Sequence, residues 1–311
     1  MRLRIGTRGS ALALWQSRHI AARLAAASPG AQIDLVEISS DGDRIADLPL
    51  SQVEGTGFFT AALEQALLSG EIDVAVHSYK DLPVVSSAQL TVAAVPNRGP
   101  VEDALCARDG LTLDALPPGA RVGTCSTRRT AQLLLMRDDF AIVALRGNVP
   151  TRLARVGRDL DAVVLACAGL SRLGLHDAIS ELFAIERMLP APAQGALAVQ
   201  CRIADEAVRR SLQVLDHAPT RRGVDAERAM LHALGGGCSV PVGAVATARN
   251  GRLHLTAGVF GLQTRTAIRA ELSGEEPIAL GRLAAARLFD QGAGDLLDEC
   301  AAAVAAVGPP A

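Results

Sequence analysis

Two periods of hydrophobic and polar residues alternate along this chain. Short aliphatic runs bounded by glycine or a charged loop read as buried strands. Between them, apolar residues recur every three to four positions, the spacing of a helix with one buried face. LRIGT (3–7) leads into a helix from about Ala11 to Ala26, then QIDLVEI (32–38), a helix FFTAALEQALLSG (58–70) closed by Gly70, and two buried strands, DVAVHS (73–78) and LTVAAVP (90–96). That βαβα order predicts a parallel or mixed sheet covered by helices. A second α/β unit follows: RVGT (121–124), a helix over 127–137, AIVAL (141–145), a helix over 150–157 and DAVVLACAG (161–169). LPAPAQG near 190 breaks the alternation, and ALAVQCR (196–202) is a further apolar strand able to return to the first sheet. Beyond about 218 come a helix (224–234), the loop GGGC, strand signals at 240–246 and 253–260, and an Ala-rich C-terminal helix. No internal sequence repeat is visible. The expected fold class is α/β: a discontinuous domain 1 (1–96 plus 196–215), domain 2 (101–190), and a small α+β domain 3 (218–311).

Composition narrows the classes of function. With 49% hydrophobic and 21% charged residues the chain is globular, and with 3% aromatic residues its core must be built from Ala, Val, Leu and Ile. A net charge of −2 exerts no general pull on nucleic acid or an anionic membrane, and aromatic platforms for single-stranded bases are lacking. No apolar run is long enough to cross a bilayer, and MRLRIGTRGS is not a signal peptide, so a cytoplasmic protein is expected. The six cysteines form no CxxC pair and have no histidine at a ligand interval, so no metal site is expected.

One chemical pattern occurs three times: a strand, an arginine-bearing loop, a helix start. GTRGS (6–10) places Arg8 and Ser10 at the first helix, and GTCSTRR (123–129) places Ser126, Arg128 and Arg129 at another. LRGNVPTR (145–152) supplies Arg146, an Asn148 cap, Pro150 and Arg152. Any single arginine is more simply a surface ion pair. Three at equivalent places on two lobes point to a ligand with several carboxylates or phosphates. A P-loop is excluded because the only lysine, Lys80, lies in HSYKDLP. Asp81 beside it, at a strand's carboxyl end, either stabilises a cation and moves protons or merely orients the turn before Pro83. GGGCSVP (235–241) sets Cys238 on a loop, either as an accessible thiol or as a cysteine that happens to fall in a glycine-rich turn.

Together, IGTRGSALALWQ, DVAVHSYKDLP, GTCSTRR, LRGNVPTRL, AGLSRLGL, LPAPAQGALAVQCR and GGGCSVPVG resemble the hydroxymethylbilane synthase family, also called porphobilinogen deaminase. The resemblance covers nearly the whole chain. It implies three domains, the first two like type II periplasmic binding proteins. It implies a transferase of porphyrin, and hence heme, biosynthesis. Four porphobilinogen molecules are joined head to tail with loss of ammonia, and the linear tetrapyrrole is then released by hydrolysis. It implies a dipyrromethane cofactor in thioether linkage to Cys238, and Asp81 as the catalytic carboxylate. Lys80, Asp81, Ser126, Arg128, Arg129 and Arg146 become cofactor contacts. Arg8, Ser10, Arg146, Arg152, Arg172 and Gln194 become substrate contacts, with Gln194 at the domain junction. A monomer is expected. The chain departs from the family at Gln52 and Thr56, positions usually basic, with Arg44 as a conceivable substitute. Tyr79 stands where Met or Leu is usual, and Gly235 where Glu is usual. The competing readings are a cytoplasmic two-lobed sensor for a polycarboxylate and a degenerate paralogue making shorter pyrrole chains.

Overall fold

The structure, a computed structural model, describes residues 2–39, 58–85, 87–237 and 240–306. Among these, the alternating pattern folds into two five-stranded sheets and one three-stranded sheet. The first contains β1 (Arg2–Thr7), β2 (Gln32–Glu37), β3 (Val74–Ser78), β4 (Leu90–Ala94) and β10 (Leu197–Arg202), ordered β2-β1-β3-β10-β4. The second contains β5 (Asp103–Ala107), β6 (Arg121–Thr124), β7 (Ala141–Ala144), β8 (Ala162–Ala166) and β9 (Glu181–Leu182), ordered β7-β6-β8-β5-β9. In both sheets the first three places are parallel and the fourth strand runs antiparallel to its neighbours. The two α/β domains therefore share one topology without a sequence repeat. Its trace in the sequence is the arginine loop after the second strand in each sheet order, GTRGS after β1 and GTCSTRR after β6.

The expected return of 196–202 to the first sheet is observed: β10 lies between β3 and β4. Several elements differ from the pattern reading. DAVVLACAG is a strand only through Ala166, because Cys167–Arg172 turns into helix α5; the helices before it are α1 (Ala11–Ala27), α2 (Phe58–Leu68), α3 (Thr127–Met136) and α4 (Val149–Leu153). An unbroken apolar run does not by itself separate strand from buried helix. The expected helix 150–157 is the single short α4. After α6 (Glu206–Leu212), the helix expected from 224 starts earlier, as α7 (Ala218–Ala233), because the His217 side chain caps Thr220 N and Pro219 suits a first turn. The strand DALCA (β5) was missed, being short and lacking alternation.

The third domain packs α7 and α8 (Pro277–Asp290) on an antiparallel sheet of β11 (Val242–Arg249), β12 (Arg252–Phe260) and β13 (Ala267–Gly274). β13 was also missed, since it is a sheet-edge strand with polar residues on its open face. The Ala-rich tail is two helices, α8 and α9 (Ala293–Ala306), broken at Gly292 with φ +94. α7 and α8 approach so closely that a Cβ on Gly281 would lie 2.3 Å from the Ala226 carbonyl oxygen.

Each domain has its own aliphatic core. In domain 1, Leu3, Ile5, Ile20, Leu24, Val74, Val76 and Val199 are almost fully buried, each such side chain contributing roughly 1.5–3 kcal/mol. Two linkers cross between the α/β domains, before β5 and before β10. They meet where Gly99 N donates to the Gly195 carbonyl at 3.1 Å. Gly195 has φ +83, and a Cβ there would lie 2.5 Å from the Pro100 carbonyl oxygen, so only glycine fits.

Candidate active site

Parallel strands end on the same edge, and that places the candidate residues. β1 and β3 are parallel neighbours, so Arg8 and Ser10 at the end of β1 share an edge with Lys80 and Asp81 at the end of β3. Gln16 of α1 donates to Ser78 Oγ at 2.8 Å, tying that helix to the end of β3. In domain 2, β7 and β8 both run parallel to β6, so Ser126, Arg128, Arg129, Arg146, Arg152 and Arg172 lie beyond one edge of the second sheet.

Asn148 forms the helix cap expected of it, and Ser10 and Ser126 cap their helices as well. Ser10 Oγ accepts from Ala13 N at 3.3 Å, Ser126 Oγ from Arg129 N at 3.4 Å, and Asn148 Oδ1 from Thr151 N at 3.0 Å. In that bond each serine oxygen accepts, which leaves its O–H without an acceptor among the described residues and able to donate to a ligand carboxylate. The third loop differs in one respect: α4 has five residues, too short for a substantial dipole, so Arg146 and Arg152 supply the positive charge there. Arg152 Nε donates to the Gly147 carbonyl at 2.8 Å, which folds the guanidinium back onto its own loop.

Arg128 and Arg129 are buried, at 3% and 4% exposure, and an internal carboxylate holds them. Asp103 accepts from Arg128 Nη1 at 2.7 Å and from Arg129 Nε and Nη2 at 3.0 and 2.7 Å. It is itself fully buried. Burial alone would raise its pKa, but the two guanidinium groups outweigh that and hold the carboxyl well below its ordinary range. Asp103 went unnoticed in the sequence because it opens a strand that was missed. Two arginines against one aspartate leave a net positive charge, and Arg128 Nε is buried without a hydrogen bond among the described residues. Burial lowers the Arg128 pKa, as expected for a cation that still lacks a full set of partners.

Gln194 joins the two lobes. Its Nε2 donates to Asp103 Oδ1 at 2.9 Å and to the Val101 carbonyl at 2.7 Å, and its Oε1 accepts from Lys80 Nζ at 3.4 Å. These contacts link the end of β3 with the start of β5, and all of them are to the protein's own groups. The Lys80 pKa is lowered chiefly by burial, with Asp81 opposing the shift. Arg172 crosses the same gap: its Nη2 donates to the Gly195 carbonyl at 2.6 Å, and its guanidinium lies 5.8 Å from the Trp15 ring centroid on α1. Burial lowers its pKa to about 10. Beside it, Ala11, Trp15, Arg18, His19, Arg172 and Leu173 line a cavity of about 420 Å³. His19, stacked on Trp15, has a lowered pKa, first from burial and then from Arg23 and Arg172, which marks a positive field.

Asp81 closes a one-turn helix, Tyr79–Asp81, and is exposed. Cys238, Gln52, Thr56 and Arg44 lie outside the described residues. The glycines leading to Cys238 follow directly from the C-terminus of α7. Among the described residues no group of three His, Cys, Asp or Glu side chains is gathered as for a metal ion, and no helix is long and apolar enough to cross a membrane.

Two like α/β lobes with arginine-bearing loops at their strand ends, the exposed Asp81 at one of those ends and a third domain packed on the linkers define a three-domain α/β protein suited to an anionic ligand. The comparisons give that class a family. The model of "Porphobilinogen deaminase, dipyromethane cofactor binding domain" matches residues 3–210, and that of "Porphobilinogen deaminase, C-terminal domain" matches 222–290. Porphobilinogen deaminase of Brevibacillus brevis is 44% identical over 95% of this chain and 96% of its own. That of Xanthomonas euvesicatoria is 48% identical over 96% and 99%, and that of Thermobifida fusca 47% over 96% and 97%. Similar solved structures include the methionine binding protein MetQ (TM-score 0.43, 14% identity, 69% of this chain and 89% of that one). The Bordetella pertussis BvgS VFT2 domain aligns with TM-score 0.40 at 16% identity over 68% and 85%. Likeness of that degree carries no argument about ligand or chemistry.

The chain belongs to the porphobilinogen deaminase family. It is a transferase that makes hydroxymethylbilane from porphobilinogen with a dipyrromethane cofactor, and the sensor reading is set aside.

The residues present fit such a cofactor. Its acetate and propionate side chains match strand ends with excess guanidinium charge, a buried Arg128 Nε with no hydrogen bond among the described residues and two capping hydroxyls able to donate.

Proposed function

We propose that Asp81 is the catalytic carboxylate, that Cys238 carries the cofactor through a thioether, and that the two lobes divide the ligand's carboxylates between them. Lys80, Ser126, Arg128, Arg129 and Arg146 hold the cofactor. Arg8, Ser10, Arg146, Arg152, Arg172 and Gln194 orient the incoming porphobilinogen. The observation that supports this reading is the chain of contacts from Lys80, beside the exposed Asp81, through Gln194 to Asp103 and the two arginines it holds, Arg128 and Arg129. When bound, the dipyrromethane supplies the electron-rich ring carbon from which the product chain grows.

The protein's own part is electrostatic and positional. As the C–N bond of the substrate's aminomethyl group breaks, ammonia leaves with the electron pair and positive charge spreads over the pyrrole. Asp81 stabilises that charge. A carboxylate about 4 Å from a unit cation is worth roughly 4 kcal/mol at an effective dielectric of about 20, or about a thousandfold in rate. After the carbon–carbon bond forms, Asp81 is also the base to take the proton lost from the ring carbon that made the bond. The arginines hold two acid-bearing rings in orientation, which removes translational freedom before the reaction. Lys80 suits a site where one compact ammonium must fit beside Asp81, where a guanidinium fork would be broader. The protein works as a cytoplasmic monomer without a nucleic-acid or membrane partner, in keeping with its near-neutral net charge of −2.

The deciding measurement is the intact mass of the purified protein and of Cys238→Ser. A dipyrromethane adduct on the first, absent from the second, is expected. An adduct that survives Cys238→Ser overturns the attachment site. Product analysis separates a tetrapyrrole-forming enzyme from a paralogue that stops at shorter chains.

A further inference from the structure

Tyr79 is the chain's only tyrosine, and it opens the turn that ends in Asp81. It is 5% exposed and sits in an apolar cluster with Leu82, Val95, Ala196 and Val224. The guanidinium of Arg228, from α7, lies over its ring at 4.5 Å from the centroid. The same guanidinium donates to the backbone carbonyls of Pro83 at 2.6 Å, Leu82 at 2.9 Å and Tyr79 at 3.4 Å. One planar group thus gathers three carbonyls of the segment that flanks Asp81, and the ring beneath sets its plane. A guanidinium does both because its donors lie in the plane that stacks; an ammonium has no such plane.

The helix that carries Arg228 is itself immobilised. Glu227, next in the chain, is fully buried and pairs with Arg98 of the first linker at 2.6 and 2.9 Å. It also accepts from Ala193 N of the second linker at 2.6 Å and from Ala246 N of β11 at 2.7 Å. From this anchor α7 runs on to the glycines that precede Cys238. The turn bearing Asp81 and the arm bearing Cys238 are therefore referenced to one helix.

We propose that Tyr79 and Arg228 form a positioning latch that holds the Asp81 turn in register with α7, the helix that precedes Cys238 in the chain, Tyr79 being the platform that orients the guanidinium. This rests on the assignment of Asp81 as the catalytic carboxylate. The ring is the working part. Removing it frees Arg228 to tilt, the carbonyls of the turn lose their common donor, and the carboxylate is displaced from the developing charge without any change in the groups that bind substrate.

The test compares Tyr79→Phe, Tyr79→Leu and Arg228→Lys with Asp81→Asn, reading kcat, KM and the mass of the covalent adduct. Tyr79→Phe keeps the ring and should match the parent within about twofold, whereas Tyr79→Leu and Arg228→Lys should lose about five- to twentyfold in kcat with KM within about twofold, since small misplacements of a catalytic group are costly. Adduct loading should be unchanged in all three. A parent-like kcat in Tyr79→Leu, even with a lowered melting temperature, overturns the latch. So does a Tyr79→Phe as impaired as Tyr79→Leu, because the hydroxyl would then be responsible, and so does loss of the adduct. If Arg228→Lys does not fold, the Tyr79 pair decides alone. Normal turnover by Asp81→Asn would refute the catalytic assignment itself. An inactive Asp81→Asn with an unaffected Tyr79→Leu would refute only the latch.

Discussion

The two five-stranded sheets are wound alike and differ at their third strands. β3 runs out into Tyr79–Lys80–Asp81 and leaves a carboxylate exposed at its end, whereas β8 runs into α5 and delivers Arg172. Their antiparallel neighbours differ in the complementary sense. Leu197 pairs with Ser78 at the start of β10, and the matching place in domain 2, opposite Ala166, holds the buried Asp103. Domain 2 thus spends its carboxylate internally, to hold Arg128 and Arg129 in place. Domain 1 keeps an apolar residue there and presents its carboxylate outward. Under the proposed assignment the same topology makes an anion-holding lobe in one case and a cation-stabilising lobe in the other, and the difference comes down to where one carboxylate sits.

Substitutions at the two aspartates should pull this contrast apart. Asp81→Asn should lower turnover by roughly a hundredfold to a thousandfold, the usual loss when one preorganised electrostatic group is removed. It should leave stability to urea within about 0.5 kcal/mol, because Asp81 is exposed. Retained turnover would make Asp81 a structural residue. Asp103→Asn should do the reverse and cost about 3–5 kcal/mol in a urea unfolding curve, because it leaves two buried guanidinium groups without their countercharge.

Acid should separate the domains more gently. His77 of β3 is buried, donating from Nε2 to Gln200 Oε1 at 3.0 Å, and burial lowers its pKa to about 4. Its folded pKa lies below the unfolded value of about 6.5, so its contribution is complete above that pH and is lost as pH falls through about 4, by about 3 kcal/mol at most. Asp103 is depressed from a lower starting point and keeps its contribution until pH falls below the ordinary carboxylate range. Hydrogen exchange followed from pH 7 to about 4.5 should therefore show β3 and β10 losing protection before β5 and β8. The smallest effect should be a symmetric one. Ser10→Ala and Ser126→Ala remove equivalent caps and should each cost about 1 kcal/mol, so a clear inequality in thermal unfolding would show that the caps are not equivalent.

Much of the site was legible because it sits at strand ends. Periodicity located β1, β3, β6 and β7, and the loops after them contain Ser10, Asp81, Ser126 and Arg146. Asp103 and Arg228 were not legible. Asp103 opens the short strand DALCA, which has no alternation to mark it. Arg228 lies mid-helix, and only the docking of α7 on the 79–83 segment gives it a partner. The shared topology of the two lobes was hidden for a related reason. The first sheet is completed by β10, which returns from beyond domain 2, whereas the second sheet is built from one continuous stretch, and local periodicity is blind to that difference.

The sequence by itself determined most of the elements, the cap at Asn148 and the anionic character of the ligand, because backbone capping and local charge act over a few residues. It also carried the family resemblance through seven ordered motifs. Only the tertiary structure decided which charges cancel internally and which remain for a ligand. The lone lysine reaches Gln194 across 114 positions of chain, and Gln194 reaches Asp103 across 91. Pairings over that separation come from burial of the two cores and the crossing of the linkers, and no local rule prescribes them.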